Sequence, residues 1–245
     1  MKNDPRSYFP RGLTQPSTGF RFSTDSLLLA CFASVPPQGR ILDLGTGCGV
    51  IPLGVLLRHP ENRLAATGID VNPEMIAAAQ ANTALLDFSA ELEILAVDVR
   101  TPDFAPAESY DLVLSNPPYR NENVGRACPD KSKNKARFEV DCDLDAFTAT
   151  AARMIRNRGR VAFVFLAERV TELLDSFTRH RLEPKRIKFI HGRVGAPAKV
   201  VMVEAVKNGK PGLIVEPPVI LYGDGQELLA SAVKYCPFIA KSAVG

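Results

Sequence analysis

The sequence lacks the features that mark secreted, membrane-bound or zinc-dependent proteins. Its five cysteines form an odd set with no CxxC pair, which argues against a disulfide framework or a zinc site. No uncharged apolar run reaches the ~18 residues that a membrane helix needs. Residues 1–12 are polar, carry two prolines and contain no apolar segment typical of a signal peptide. We therefore expect a cytoplasmic protein with no metal and no membrane partner, either a monomer or a homodimer.

Histidine is also scarce, and the three present are scattered near helix ends and after a strand, which does not favour a catalytic role. Hydrophobic residues make up 46% of the chain and charged residues 23%, which is ordinary for globular proteins and excludes disorder and collagen-like repeats. The 245 residues suffice for one large domain, with or without a small appendage.

Charge is unevenly divided along the chain. Residues 1–119 hold 8 Lys and Arg against 13 Asp and Glu, whereas residues 120–245 hold 22 against 14. Six basic residues lie in Arg120–Arg137 and six more in Arg179–Arg193. Each run by itself is most simply solvated surface. Because the two runs flank a candidate active site, they also suggest a polyanionic partner such as nucleic acid.

Strands and helices alternate between residues 40 and 206, which predicts a mainly parallel sheet covered by helices on both faces. We assign 1–39 to an N-terminal extension, 40–206 to the main domain and 207–245 to a C-terminal hairpin and helix. The predicted strands are Arg40–Leu44, Leu64–Asp70, Leu92–Val97, Tyr110–Ser115, Gly159–Phe165, Lys185–Ile190 and Lys199–Val206. The predicted helices are Val50–Arg58, Asn72–Asp87, Asp141–Asn157, Glu168–His180 and Gln226–Lys234, and Arg120–Val140 is expected to be a loop.

A glycine-rich turn follows the first strand, at the end of the sheet where ligands bind in such folds. The turn has the spacing G-x-G-x-G, and Val50 stands where a dinucleotide fingerprint needs a third glycine. Asp43, just before the turn, would repel a pyrophosphate and attract an ammonium group, although it could simply cap the turn. The turn's candidate cofactor contacts are Gly45, Thr46, Gly47, Cys48 and Gly49, with Cys48 contributing its backbone.

Two further acids close the next two strands. Asp70 can accept hydrogen bonds from both hydroxyls of a ribose, and Asp98 can accept one from an adenine amine, although Asp98 could instead cap a turn. Val71 and Val99 beside them complete this part of the candidate site. A ligand with an ammonium group and a ribose but no phosphate is S-adenosylmethionine (SAM), whose product is S-adenosylhomocysteine.

The fourth strand ends in Asn-Pro-Pro-Tyr, residues 116–119. Methylation of a flat amino group requires acceptors that stabilise the pyramidal, positively charged nitrogen of the transition state. The Asn116 oxygen and the Pro117 carbonyl can supply charge-assisted hydrogen bonds, while Pro118 stiffens the segment. Tyr119 can stack on the target base. These residues are the candidate catalytic group, and Asn116 is also counted among the cofactor contacts.

The chain resembles the class I, Rossmann-like SAM-dependent methyltransferases that carry N-P-P-Y, and within them the bacterial valine-tRNA adenine-N6 methyltransferase group. The similarity extends to Phe20–Ala30, Ala136–Glu139 and Val200–Ala205, while Tyr222–Gln226 departs from that group. It implies a seven-stranded, mainly parallel sheet with an antiparallel last strand. It also implies that Thr24 and Asp25 lie beside the methionine end of the cofactor.

By the same resemblance, the substrate is the adenine next to the anticodon of a valine tRNA, and the basic loop grips RNA phosphates. Arg137 could equally pair with Glu139 or Asp141. The candidate RNA contacts are Arg120, Arg126, Lys131, Lys133, Lys135 and Arg137.

Several alternatives differ in substrate or class. Enzymes that methylate a release-factor glutamine carry a helical domain before the glycine turn, and 39 residues are too few for it. Guanine methyltransferases of rRNA usually have a duplicated half, and DNA adenine methyltransferases add a recognition domain. An inactive RNA-binding relative would have a damaged turn or N-P-P-Y, and both are intact. A nicotinamide oxidoreductase would need the third glycine that Val50 replaces.

Overall fold

The computed structural model describes residues 4–16, 22–101, 103–118 and 144–242, which form one mixed β-sheet with helices on both faces. The strands are β1 (Gln38–Leu44), β2 (Arg63–Asp70), β3 (Leu92–Ala96), β4 (Tyr110–Ser115), β5 (Ile155–Leu166), β6 (Leu182–Arg193), β7 (Ala198–Lys207), β8 (Ile214–Val215) and β9 (Val219–Tyr222). The α-helices are α1 (Thr24–Phe32), α2 (Val50–Arg58), α3 (Pro73–Leu85), α4 (residues 144–154), α5 (Val170–Arg179), α6 (Ala230–Tyr235) and α7 (Pro237–Ser242). Short 3-10 helices cover Pro5–Tyr8 and Ala167–Arg169.

The strand order is β3-β2-β1-β4-β5-β7-β6, with β8 and β9 one after the other along the outer edge of β6. The first five strands of this order are parallel, and β7 is antiparallel to both β5 and β6. The predicted seven-stranded, mainly parallel sheet with an antiparallel last strand is confirmed, and two short strands extend it. Because β1 and β4 are neighbours at the switch in strand order, their carboxyl ends form a shared crevice.

The core consists of two hydrophobic layers, one on each face of the sheet. Alternate strand residues point to opposite faces, so Ile41 packs with α1, α2 and α3, whereas Leu42 packs with α4 and α5. Burial on both faces explains why the central strands are almost continuously apolar. Phe9 and α1, from the predicted extension 1–39, belong to the first layer, which makes that segment part of the same core.

Local signals predicted the first half of the chain well, since α2 and β4 have the expected bounds. The helix expected over Asp141–Asn157 ends at residue 154, because Ile155 is fully buried and pairs with Tyr110 as the start of β5. The helix expected over Gln226–Lys234 begins at Ala230, because the Leu229 N–H donates to the Leu221 carbonyl at 2.8 Å and holds the preceding segment as a turn, and a further helix, α7, follows it.

In the C-terminal segment, β8 and β9 do not form a hairpin with each other, and an isolated antiparallel bridge joins Tyr222 to Leu228. Strands β8 and β9 both run parallel to β6 and do not pair with each other. Pro217 and Pro218 lie in the short connection between them. The helices of the described chain include none long and apolar enough to cross a membrane.

Candidate active site

The glycine turn between β1 and α2 is held by backbone hydrogen bonds. Gly45, Gly47 and Gly49 adopt left-handed φ values of 69°, 55° and 81°. A Cβ atom on Gly45 would lie 3.1 Å from the Phe147 ring, so both conformation and space favour glycine there. The Thr46 N–H donates to the Ile69 carbonyl at 2.9 Å, which ties the turn to the end of β2.

Asp70, at the end of β2, fixes the turn from the other side. One carboxylate oxygen accepts from the Gly47 N–H and the other from the Asn72 N–H, both at 2.9 Å. Each carboxylate oxygen has a second lone-pair direction, so Asp70 can accept further hydrogen bonds from a ligand. The structure thus brings Asp70 and the turn together, as the sequence predicted.

Asp43 lies beneath the turn, fully buried. Among the described residues neither of its carboxylate oxygens has a hydrogen-bond partner, and the same holds for the Thr46 hydroxyl. Burial raises the pKa of Asp43 to about 8; the neighbouring Thr46 hydroxyl opposes this rise and the Asp70 charge adds to it. A buried carboxyl group without a partner is costly, and a cationic ligand would relieve that cost.

Two other predicted acids occupy different environments. Asp25, in the first turn of α1 beside Thr24, is half-buried, and burial raises its pKa. Asp98, beyond β3, forms an ion pair with Arg100 at 2.5 Å, and hydrogen bonds from Arg100 lower its pKa. Asp98 must therefore share its oxygens with Arg100 if it also binds a ligand.

Val71 and Val99 stand next to Asp70 and Asp98 on the same edge of the sheet. The Val71 side chain is 63% exposed, whereas Val99 packs against the core and its carbonyl accepts from the Thr150 hydroxyl at 2.6 Å. The exposed Val71 offers an apolar surface to a ligand at this edge.

Asn116 lies immediately beside the glycine turn. Leu44 and Ser115 are directly paired between β1 and β4, so the next residues of the two strands are neighbours. The Ser115 hydroxyl donates to the Leu44 carbonyl at 2.8 Å and fastens the two strand ends. Pro117 is buried and Pro118 exposed. The register therefore places an amide and a stiffened segment next to the turn.

Two residues that the sequence reasoning missed support this edge. Asn82, fully buried on α3, donates to the carbonyls of Cys48 and Thr14 at 2.9 Å each and accepts from the Thr14 N–H at 2.7 Å. The sequence feature that could have indicated this role of Asn82 is its position, as a polar amide, on the apolar stripe of a helix. Ser26 accepts a hydrogen bond from Asn116, and nothing in its local sequence marks it.

The structure describes only the second of the two basic runs, Arg179–Arg193, in full. Tyr119 and all six candidate RNA contacts lie outside the described residues. In the second run, Arg179 pairs with Asp145 and Asp175, Arg186 with Glu204 and Glu216, and Lys188 with Glu216. Three of the six basic residues in Arg179–Arg193 therefore pair with neighbouring acids, and the role of this run in binding a polyanion stays a prediction.

Comparison with solved structures agrees with the class that the sheet and its carboxyl edge define. A protein described as a predicted O-methyltransferase from Agrobacterium tumefaciens superposes with a TM-score of 0.69 at 23% identity, over 87% of this chain and 96% of that one. A putative class I SAM-dependent methyltransferase from Listeria monocytogenes gives 0.56 at 16% identity, over 88% and 67%. The fold is that of the class I SAM-dependent methyltransferases.

The family assignment is more specific. Residues 22–181 match the family described as methyltransferase small domain, and the chain belongs to this family. It is a SAM-dependent methyltransferase. The match spans the segment before the turn, both halves of the candidate site and the sheet as far as α5.

Curated relatives carry one shared name, tRNA1(Val) (adenine(37)-N6)-methyltransferase. The relative from Phocaeicola vulgatus is 29% identical over 183 residues, which cover 75% of each chain. The relative from Citrobacter koseri is 28% identical over 222 residues, or 86% of this chain and 87% of its own.

Proposed function

We propose that the protein transfers a methyl group from SAM to the N6 amine of an adenine in RNA, specifically the adenine beside the anticodon of a valine tRNA. The observation that supports this proposal is that Asn116 follows the Leu44–Ser115 pair at the start of the glycine turn, next to the carboxyl group of Asp43, which has no hydrogen-bond partner within the described residues. The shared name of the relatives supports the choice of substrate.

The residues at this edge suit SAM as the methyl donor. Asp43 offers an unpartnered carboxyl group to a cationic group, and Asp70 offers oxygens to ribose hydroxyls. Asp98 is the candidate acceptor for the adenine amine, and Thr24 and Asp25 are candidates for the methionine end. The remaining candidate contacts are the turn residues Gly45, Thr46, Gly47, Cys48 and Gly49, together with Val71 and Val99.

The chemistry needs acceptors more than it needs a strong base. When bound, SAM supplies an electrophilic methyl group on a sulfonium sulfur. The lone pair of the adenine amine is delocalised into the ring and must localise on nitrogen for attack. The Asn116 oxygen and the Pro117 carbonyl accept the N–H groups, which favours the pyramidal, positively charged nitrogen before a proton leaves to solvent.

The remaining roles concern residues outside the described ranges. Tyr119 stacks on the target base and holds the amine in line with the methyl group. Arg120, Arg126, Lys131, Lys133, Lys135 and Arg137 bind RNA phosphates, so substrate affinity should fall as salt rises.

The first experiment identifies the substrate. Purified protein and SAM carrying a labelled methyl group are incubated separately with total tRNA, total rRNA and a release factor, and the products are hydrolysed and analysed. We expect label in N6-methyladenosine from tRNA. Label in rRNA guanine or in release-factor glutamine would identify one of the alternative substrates and contradict the proposal.

The second experiment tests the site. We expect Asn116→Ala to lower the rate of methyl transfer ~10²–10³-fold, the contribution of one transition-state hydrogen-bond acceptor, while SAM affinity, measured by calorimetry, stays within about threefold. Asn157→Ala removes an exposed asparagine side chain far from the site and serves as the matched control. Undiminished turnover by Asn116→Ala would refute the catalytic assignment.

A further inference from the structure

Asn82, fully buried on α3, joins the N-terminal segment, residues 4–16, to the glycine turn. Its Oδ1 accepts from the Thr14 N–H at 2.7 Å, and its Nδ2 donates to the carbonyls of Thr14 and Cys48 at 2.9 Å each. All three partners are main-chain groups, whose roles as donor or acceptor are fixed. A flipped amide would set its NH₂ group against the Thr14 N–H and its oxygen against two carbonyls, so only one orientation of Asn82 satisfies them.

The contact with Cys48 fixes one peptide of the glycine turn. The carbonyl of the Cys48–Gly49 peptide accepts from Asn82, and its N–H, which belongs to Gly49, donates to the Thr46 carbonyl at 2.9 Å. A Cβ atom on Gly49 would lie 3.4 Å from the Cβ of Ala79, on the same face of α3 as Asn82, so the turn also packs closely on this helix. Glycines give the turn backbone freedom, and these contacts remove it.

The N-terminal segment is anchored separately at its other end. The Arg6 guanidinium donates to the carbonyls of Leu86 at 2.7 Å and Asp87 at 2.9 Å, and it lies 4.7 Å from the centre of the Phe88 ring. The segment therefore runs along α3 from the C-terminal end of that helix toward the glycine turn, where Thr14 meets Asn82. Because the segment and the turn share Asn82 as a partner, docking of the segment supports the turn.

We propose that Asn82 is a positioning residue for the cofactor, which couples docking of the N-terminal segment to the shape of the glycine turn and thereby to SAM affinity. This inference rests on the part of the proposed function that places SAM at the turn. Asn82 is buried and acts through the Cys48 carbonyl, without itself touching cofactor or substrate. Because such coupling is reciprocal, a ligand bound at the turn must also hold the N-terminal segment in place.

The binding test measures affinity for S-adenosylhomocysteine by calorimetry. We expect Asn82→Ala to weaken binding about tenfold, the effect of losing the hydrogen bonds that hold the turn and the segment. The control Thr83→Ala removes a buried hydroxyl that donates to the Ala79 carbonyl within α3, and it should bind as wild type. Arg6→Ala loosens the segment at its far end and should weaken binding about threefold without any change at the turn. Wild-type affinity in Asn82→Ala overturns the proposal.

Limited digestion with trypsin reports docking of the segment, because Arg11 and Gly12 are exposed and cleavage between them needs local opening. We expect saturating S-adenosylhomocysteine to slow this cleavage about tenfold in wild type and to have no such effect in Asn82→Ala. Arg6→Ala should be cleaved faster without ligand. Equal slowing in wild type and Asn82→Ala would show only general stabilisation and overturn the inference, as would faster cleavage of Arg6→Ala with unchanged affinity.

Neither measurement needs RNA, so the two proposals can fail separately. If affinity and cleavage change as expected but wild type methylates no RNA, the proposed substrate is wrong and the coupling through Asn82 stands. If wild type methylates tRNA but S-adenosylhomocysteine leaves cleavage at Arg11 unchanged, the coupling is wrong and the proposed substrate stands.

Discussion

Asp43 and Glu204 are both completely buried, yet their surroundings are opposite. Asp43, at the carboxyl end of β1, has no hydrogen-bond partner within the described residues. Glu204, on β7, accepts from the Ser34 N–H at 2.7 Å and the Ser34 hydroxyl at 3.0 Å. It also pairs with Arg160 at 2.7 Å and Arg186 at 3.4 Å. The same chemical group is therefore satisfied at one place in the fold and unsatisfied at the other.

The difference separates a structural carboxylate from a binding one. Glu204 joins β5, β6 and β7 to the chain just after α1, so its partners are supplied by the fold itself. Asp43 is desolvated to the same extent without compensation, and such a cost is ordinarily tolerated where a ligand offsets it. Removing each carboxyl group should therefore have opposite consequences for stability.

The largest effect is expected for Glu204→Ala. Truncation leaves Arg186, Arg160 and the Ser34 N–H without their shared acceptor, and loss of one partner from a buried charge network costs about 3 kcal/mol in the free energy of unfolding. Urea denaturation measures it. Asp103→Ala, which removes an ion pair with an 88% exposed carboxylate, should change stability by less than about 0.5 kcal/mol. Equal effects of the two variants would show that the buried interactions of Glu204 contribute no more to the free energy of unfolding than an exposed ion pair does.

Asp43→Asn comes next and should act on binding rather than on folding. We expect SAM affinity to fall about 30-fold, or about 2 kcal/mol, because a neutral amide cannot compensate a cationic ligand group. The ligand-free variant should be at least as stable as wild type at pH 8, since a buried charge has been removed. Calorimetric titration measures SAM affinity and urea denaturation measures stability. If the variant binds SAM as tightly as wild type, Asp43 is not a binding carboxylate and its contrast with Glu204 has no functional meaning.

The smallest effect concerns pH. The pKa of Asp43 is about 8 in the folded ligand-free protein, above its ordinary value of 3.8, so a cationic ligand must bind at the expense of a proton. SAM affinity should rise about tenfold between pH 6 and pH 7, while an α-amino group stays mostly protonated. Asp43→Asn should remove this dependence. A flat profile for wild type would contradict the assignment of Asp43 as the cation-binding group.

Without ligand, the raised pKa of Asp43 makes the stability of the protein fall, rather than rise, as pH increases. The folded protein retains a proton on Asp43 that the unfolded chain releases near pH 4, so the contribution of this group to stability declines as pH rises from about 4 to about 8. Above pH 8 the decline ends, because both states are ionised. Binding and stability should therefore respond to pH in opposite directions over this range.

Local sequence was sufficient for much of the cofactor half of the protein. Asn72 and Pro73 start α3 as predicted, with the Asn72 side chain accepting from the Glu74 N–H at 2.9 Å. The glycine turn needs left-handed backbone, and the acids at strand ends fall on one edge once the strands are parallel. These features depend on residues that are close together in sequence, and for that reason they could be predicted from the sequence.

The C-terminal half was less predictable because its contacts are between distant residues. Among the basic residues of β6, Arg186 pairs with Glu204 and Glu216 and Lys188 pairs with Glu216, and the local charge pattern did not indicate these contacts. Strands β8 and β9 likewise pair with the distant strand β6 rather than with each other. A charge pattern along a strand carries no information about which acids will face it.

The strands and helices between residues 40 and 115, the glycine turn and the residues at those strand ends were determined by the sequence alone, because hydrophobic periodicity and turn chemistry are local, whereas α1, α7 and the short strands β8 and β9 were not predicted. Only the tertiary structure decided that Ser26 meets Asn116, that Asn82 supports the turn and that Asp43 has no partner in the described part of the chain while Glu204 has several. Hydrogen bonding between residues tens of positions apart depends on how helices pack on the sheet, and that packing is set by the whole core.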